Sequence, residues 1–139
     1  MGAKVSFWIH LSEAFRNFSC DPQSTQKLLT VHNYTMVKVI ATKAEFDEVL
    51  KSNTKLVAVD FTASWCGPCQ RIGPKFVAMA AEYDDVVFIK VDVDENAETA
   101  EFCGIEAMPT FQFFKGSVKV DELVGASEQA LKDKIESNK

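Results

Sequence analysis

Residues 36–139 predict an α/β layer fold, because strand-like and helix-like segments alternate there with short connections. A second observation is the apolar run Leu56-Val57-Ala58-Val59, which leads into Trp65-Cys66-Gly67-Pro68-Cys69 at the start of a helix-like segment. The third is composition. With 139 residues, 47% of them hydrophobic and 25% charged, the chain suits one globular domain with a true core and leaves little room for a second.

The elements follow in order. Residues 37–40 read as a short strand, and residues 43–51 as a helix with Phe46, Val49 and Leu50 at three- and four-residue spacing. Residues 55–61 form a buried strand. The helix after Cys66 carries Ile72, Phe76, Met79 and Ala80 on one face and ends near Tyr83-Asp84-Asp85. Residues 86–91 give a third strand, and residues 94–102 a short polar helix. Two apolar runs, 110–114 and 118–124, flank Lys115-Gly116-Ser117, a hairpin signal with Gly inside the turn. Ser127 is placed to N-cap a closing helix with Leu131 and Ile135 on its inner face. The predicted order is βαβαβαββα, without internal repeats.

Charge and cysteine usage narrow the function classes. Residues 1–35 carry three basic and two acidic side chains, a net +1, so the total of −5 leaves −6 on residues 36–139. That acidic body argues against nucleic-acid binding. Four cysteines, at 20, 66, 69 and 103, are too few for a disulfide scaffold and show one tight pair. The pattern suits a reducing compartment with one working dithiol. No run approaches the roughly 20 apolar residues a membrane span requires. Val5 and Phe7-Trp8-Ile9 are interrupted by His10, Glu13 and Arg16, so no secretory signal is expected.

The Cys-x-x-Cys segment has a limited set of chemistries. A thiol attacks a disulfide only as thiolate, and a free Cys with pKa near 8.5 is about 3% ionised at pH 7. A helix N-terminus supplies unpaired N–H groups and a positive dipole end worth up to ~2 kcal/mol, where ~1.4 kcal/mol is one pKa unit. No cationic side chain is required. Residues 36–139 contain no histidine, since His10 and His32 both precede them. Cys–His nucleophilic chemistry and Cys2His2 zinc binding therefore lack their partners, and Cys103 adds only a third sulfur to the pair. No metal is expected. Pro68 falls in the first helical turn, where its missing N–H costs little. Pro74 is expected to kink the helix or be tolerated within it. Oxidation and reduction both remain open at this point.

Asp60-Phe61-Thr62-Ala63-Ser64-Trp65-Cys66-Gly67-Pro68-Cys69, Pro74, Lys90-Val91-Asp92-Val93-Asp94, Met108-Pro109-Thr110-Phe111 and Gly125 together closely resemble the thioredoxin family, most like its cytosolic animal type. The resemblance covers residues 36–139. It implies a five-stranded mixed central sheet flanked by four helices, with the redox pair at the carboxyl end of a central strand. It makes Cys66 the exposed nucleophile and Cys69 the buried resolving thiol. Asp60, six residues before Cys66 on an apolar strand, is expected to have a raised pKa and to accept the proton of Cys69. The plainer alternative is a buried Asp60 paired with Lys90, and the two can coexist.

Met108-Pro109 matches the family's cis-proline turn, whose preceding backbone pairs with an extended substrate segment. Trp65, Gly67, Pro68, Ala107, Met108, Val124, Gly125 and Ala126 form the implied apolar rim. Protein disulfide isomerases typically carry His where this chain has Pro68, which favours reduction over oxidation. The implied activity is protein-disulfide reduction with no bound cofactor, NADPH being used indirectly through thioredoxin reductase. Implied partners are that reductase and disulfide-containing substrates such as peroxiredoxin or ribonucleotide reductase, in the cytoplasm. A redox-dependent binding module using the same surface is the alternative class. The chain departs from the pattern at Thr62, a Trp in many bacterial members, and at Ala107, a Cys in some vertebrate members. Cys103 reads as a small buried hydrophobe before it reads as a redox sensor.

Residues 1–35 lie outside the resemblance. Met1-Gly2-Ala3-Lys4-Val5-Ser6 fits N-myristoylation, with Cys20 as a second lipid site and membrane association as the consequence. Trp8, Leu11, Phe15 and Phe18 fit an amphipathic helix for a membrane or partner. Asn17-Phe18-Ser19 and Asn33-Tyr34-Thr35 fit glycosylation acceptors, which lack meaning without a signal, and the segment is a poor mitochondrial presequence. The leading expectation is a disordered leader, or an upstream start read through to Met36.

Overall fold

Seven consecutive buried residues, Leu56–Thr62, make the central strand of the sheet. A computed structural model of the chain describes residues 36–139, so the readings made for residues 1–35, including Cys20, lie outside the described residues. The described elements are β1 (Val37–Val39), α1 (Lys43–Ser52), β2 (Leu56–Thr62), α2 (Gly67–Glu82), β3 (Val86–Asp92), α3 (Ala97–Phe102), β4 (Thr110–Lys115), β5 (Val118–Val124) and α4 (Glu128–Asn138). The sheet runs β1-β3-β2-β4-β5. β3 pairs in parallel with both β1 and β2, while β4 pairs antiparallel with β2 and β5. This is the mixed five-stranded sheet with four helices that the resemblance implies.

The two-residue period of β2 divides the core. Leu56 and Ala58 face α2 and α4, packing with Ile72, Phe76, Met79, Leu131 and Ile135. Val57, Val59 and Phe61 face the other way, onto Phe46, Val49 and Leu50 of α1 and Ile89 and Val91 of β3. Asp60 continues the Leu56, Ala58 series and so lies on the α2 face. Opposite it in the parallel register is Lys90, which continues the Val86, Phe88 series on the same face.

Helix starts follow side-chain capping. Thr42 Oγ1 accepts the N–H of Glu45 at 3.2 Å, and Ser127 Oγ accepts that of Ala130 at 3.3 Å, as predicted for the closing helix. The polar helix expected over 94–102 begins only at Ala97. Asp92 Oδ1 accepts the N–H groups of Asp94 and Glu95 at 2.9 and 3.3 Å, which holds the chain in a turn, and Asn96 then caps the helix through Thr99 N–H. The hairpin turn is Gly116-Ser117, with φ of 53° and 70°. α2 stays one helix across Pro74, with Gln70 on the exposed side of the missing bond.

Candidate active site

β2 delivers the chain to the redox pair through a tight loop. Val93 N–H donates to Thr62 O at 2.9 Å, continuing the β2 to β3 pairing past the strand end, and Cys66 N–H donates to Ala63 O at 3.2 Å. Cys66 is then the N-cap of α2, its Sγ accepting the N–H of Cys69 at 3.2 Å. Pro68 occupies the first turn, as its missing N–H predicts. Cys66 and Cys69 form a disulfide with their Cα atoms 5.3 Å apart.

The expected contrast between an exposed Cys66 and a buried Cys69 is absent in this disulfide form. Cys66 is 5% exposed and Cys69 3%. The physical reason is packing: the bonded pair clusters with Ala63, and Val93 and Met108 pack against that cluster.

Asp60 is 1% exposed, and its Oδ1 has no hydrogen-bond partner. Burial pushes its carboxyl up to about 6, against the opposing attraction of Lys90. The two side chains form no ion pair among the described residues, so Lys90 acts on Asp60 at a distance, and the half-buried amine does not satisfy the carboxylate. A carboxyl left partly unsatisfied on the α2 face is chemically poised to take a proton at neutral pH.

The Met108-Pro109 peptide bond is cis. Around it, Thr110 Oγ1 donates to Ala107 O at 2.7 Å, and Gly125 N–H donates to Pro109 O at 2.9 Å. The second bond joins the Val124–Ala126 segment to the turn, and Gly125 has φ of 110°, where an L side chain is strained. Met108 is half-buried against the cysteines, Ala107 and Ala126 are exposed, and Val124 is 58% exposed. Gly67 and Pro68 are exposed on the helix start. Trp65 is 68% exposed, and its Nε1–H donates to Asp94 Oδ2 at 2.8 Å. Asp94 had no role assigned from sequence; its only signal was its place in the Asp92-Val93-Asp94 run.

Cys103 stands apart from this group. It is half-buried, and burial pushes its thiol up to about 11, which disfavours the thiolate needed for redox chemistry. Among the described residues, no three His, Cys, Asp or Glu side chains group as a metal site.

Residues 37–137 match the family model described as Thioredoxin. A thioredoxin of Geodia cydonium is 59% identical over 106 residues, covering 75% of this chain and all of the relative. The solved thioredoxin of Plasmodium falciparum is 47% identical with a TM-score of 0.71, covering 73% of this chain and 99% of that chain. Another solved structure, from work on the thiol resolving mechanism in yeast mitochondrial 1-Cys peroxiredoxin via glutathione/thioredoxin systems, is 35% identical with a TM-score of 0.70 and covers 75% of this chain and 97% of that one. With its Cys66–Cys69 disulfide capping α2 beside a cis-proline turn, this chain belongs to the thioredoxin family and is a thiol–disulfide oxidoreductase.

Proposed function

We propose that the chain is a protein-disulfide reductase that NADPH-dependent thioredoxin reductase returns to the dithiol state. The observation that carries this reading is the Cys66–Cys69 disulfide at the α2 N-terminus, with the buried Asp60 carboxyl on the α2 face of β2. In the dithiol form, the Cys66 thiolate attacks one sulfur of a substrate disulfide, and the other leaves as a thiolate that takes a proton. Asp60 then takes the proton of Cys69, whose thiolate attacks the Cys66 sulfur and expels the second substrate thiol. Two electrons pass to the substrate, and Cys66–Cys69 closes as a disulfide. Two electrons from NADPH, delivered through the reductase, reopen it.

The remaining residues position the partner. Met108 forms no backbone-to-backbone hydrogen bond among the described residues, which leaves its N–H and C=O for an extended substrate segment. Trp65, Gly67, Pro68, Ala107, Val124, Gly125 and Ala126 supply the surface around it, and Lys90 tunes Asp60 by charge. Peroxiredoxins and ribonucleotide reductase are fitting substrate classes, the first supported by the yeast relative's setting. One working dithiol among few cysteines supports residence in the cytoplasm.

The test is NADPH oxidation with thioredoxin reductase and insulin as disulfide substrate. The native chain is expected to sustain turnover, and Cys66→Ser and Cys69→Ser to lose it. No turnover by the native chain rejects the reading.

A further inference from the structure

Arg71 is the only arginine in residues 36–139, against eleven lysines, and it stands one helical turn beyond Gly67, between the two redox cysteines and the body of α2. Its Nη1 lies 3.9 Å from the point a Cβ on Gly67 would occupy, so the guanidinium folds back over the Cys-x-x-Cys turn. Gly67, Arg71 and Lys75 form one row at four-residue spacing along α2. Lys75 is paired, its Nζ 3.5 Å from Glu128 Oε2, and Lys132 reaches the other oxygen of the same carboxylate at 3.5 Å. Asp94, the carboxylate on the rim, receives the Trp65 indole. Arg71 makes no ion pair or side-chain hydrogen bond among the described residues.

We propose that Arg71 is a specificity-determining residue of the redox surface, selecting substrate disulfides that carry a carboxylate next to the reacting cysteine. The inference rests on the disulfide-reductase reading and names a substrate class for it. A guanidinium offers a planar pair of donors that fits a carboxylate two-pronged, which a lysine amine does not. Placed on a body of net charge −6, a cation that is unpaired among the described residues and folded back toward Gly67 is the local feature that offsets general repulsion of acidic partners. The exposure of Arg71 leaves its donors free for an incoming chain.

The experiment uses the full chain, reduced and freed of reductant, mixed with three cystine peptides that differ only in having Asp, Ser or Lys beside the disulfide. Second-order rate constants are read by acid quenching and chromatography. In Arg71→Gln, the ratio of the Asp-peptide rate to the Lys-peptide rate is expected to fall about threefold at low salt, in line with an exposed pair. Arg71→Glu lowers it further, Arg71→Lys preserves part of it, and the differences shrink at 0.5 M salt. A change in the intrinsic reactivity of Cys66 moves all three peptides together and leaves the ratio unaltered. An unaltered ratio in Arg71→Gln therefore overturns the inference while the reductase reading stands. A native chain that reduces none of the peptides, including the Ser peptide, overturns the reductase reading and this inference with it.

Discussion

Asp60 sits within a strand whose residues are all buried, and its carboxyl is raised from 3.8 to about 6, mainly by that burial. Between these two values the folded chain holds a proton that the unfolded chain has released. Stability therefore declines as pH rises through that window and levels off above it. The shift corresponds to roughly 3 kcal/mol at pH 7. Asp60→Asn is expected to be more stable than the native chain by up to about 3 kcal/mol at pH 7, with little gain near pH 3.5, as read by urea unfolding. The same substitution is expected to abolish the rise in the Cys69 resolving rate as pH passes through about 6. Pro68 is a second residue, which the proposed reductase reading takes to favour reduction. Pro68→His introduces an imidazolium at the helix start that stabilises the reduced pair's thiolate, so the potential is expected to move by ~30 mV toward oxidising in glutathione equilibria, equal to ~1.4 kcal/mol. A move toward reducing values contradicts that account. The cysteine pair was legible from residue type and spacing and the raised carboxyl of Asp60 from its isolation on an apolar strand, whereas the Pro109 turn was legible only through the family resemblance. The Trp65–Asp94 bond was not, since 29 residues separate the partners and the loop after β3 brings them together. The burial of Cys66 was not legible either, because it depends on the bonded state of the sulfur and on Met108 from a distant loop.

Element types followed from periodicity, while boundaries followed from polar side chains competing for backbone groups. The long apolar face of α2, from Ile72 to Ala80, and the Ser127 start of α4 were legible for this reason. α3 was read three residues too long at its start, because hydrophobic spacing carries no record of the Asp92 turn that precedes it. Ser127→Ala is expected to lose about 1 kcal/mol of stability through the freed Ala130 N–H, measured by the denaturation midpoint at constant m-value. At the β4 to β5 hairpin, Ser117 holds a left-handed φ of 70° without being glycine. Ser117→Gly is expected to raise stability by up to ~1 kcal/mol in the same measurement, since that conformation costs an L residue about that much. A loss of stability there contradicts the turn geometry.

Over the whole described domain, one two-sided sheet explains both the fold and the position of the chemistry. β2 is central, its alternate residues feed two separate cores, and its carboxyl end carries the cysteines, with Asp60 on the same face as α2. The antiparallel β4 to β5 pair was legible from the Lys115-Gly116-Ser117 signal, which the structure narrows to a two-residue turn by pairing Lys115 with Val118. The strand order β1-β3-β2-β4-β5 was not, because periodicity marks which residues are buried and says nothing about which strands are neighbours. The family resemblance supplied the mixed sheet that local patterning left open. In the proposed cycle the two sulfurs divide the labour, Cys66 attacking first and Cys69 resolving. The most direct measurement mixes reduced Cys69→Ser and reduced Cys66→Ser separately with a cystine peptide and records intact mass. A persistent mixed disulfide on Cys66 is expected in Cys69→Ser, with one peptide thiol released per adduct and no comparable adduct on Cys69 in Cys66→Ser. Rapid adduct formation in Cys66→Ser, with none in Cys69→Ser, contradicts that division of labour.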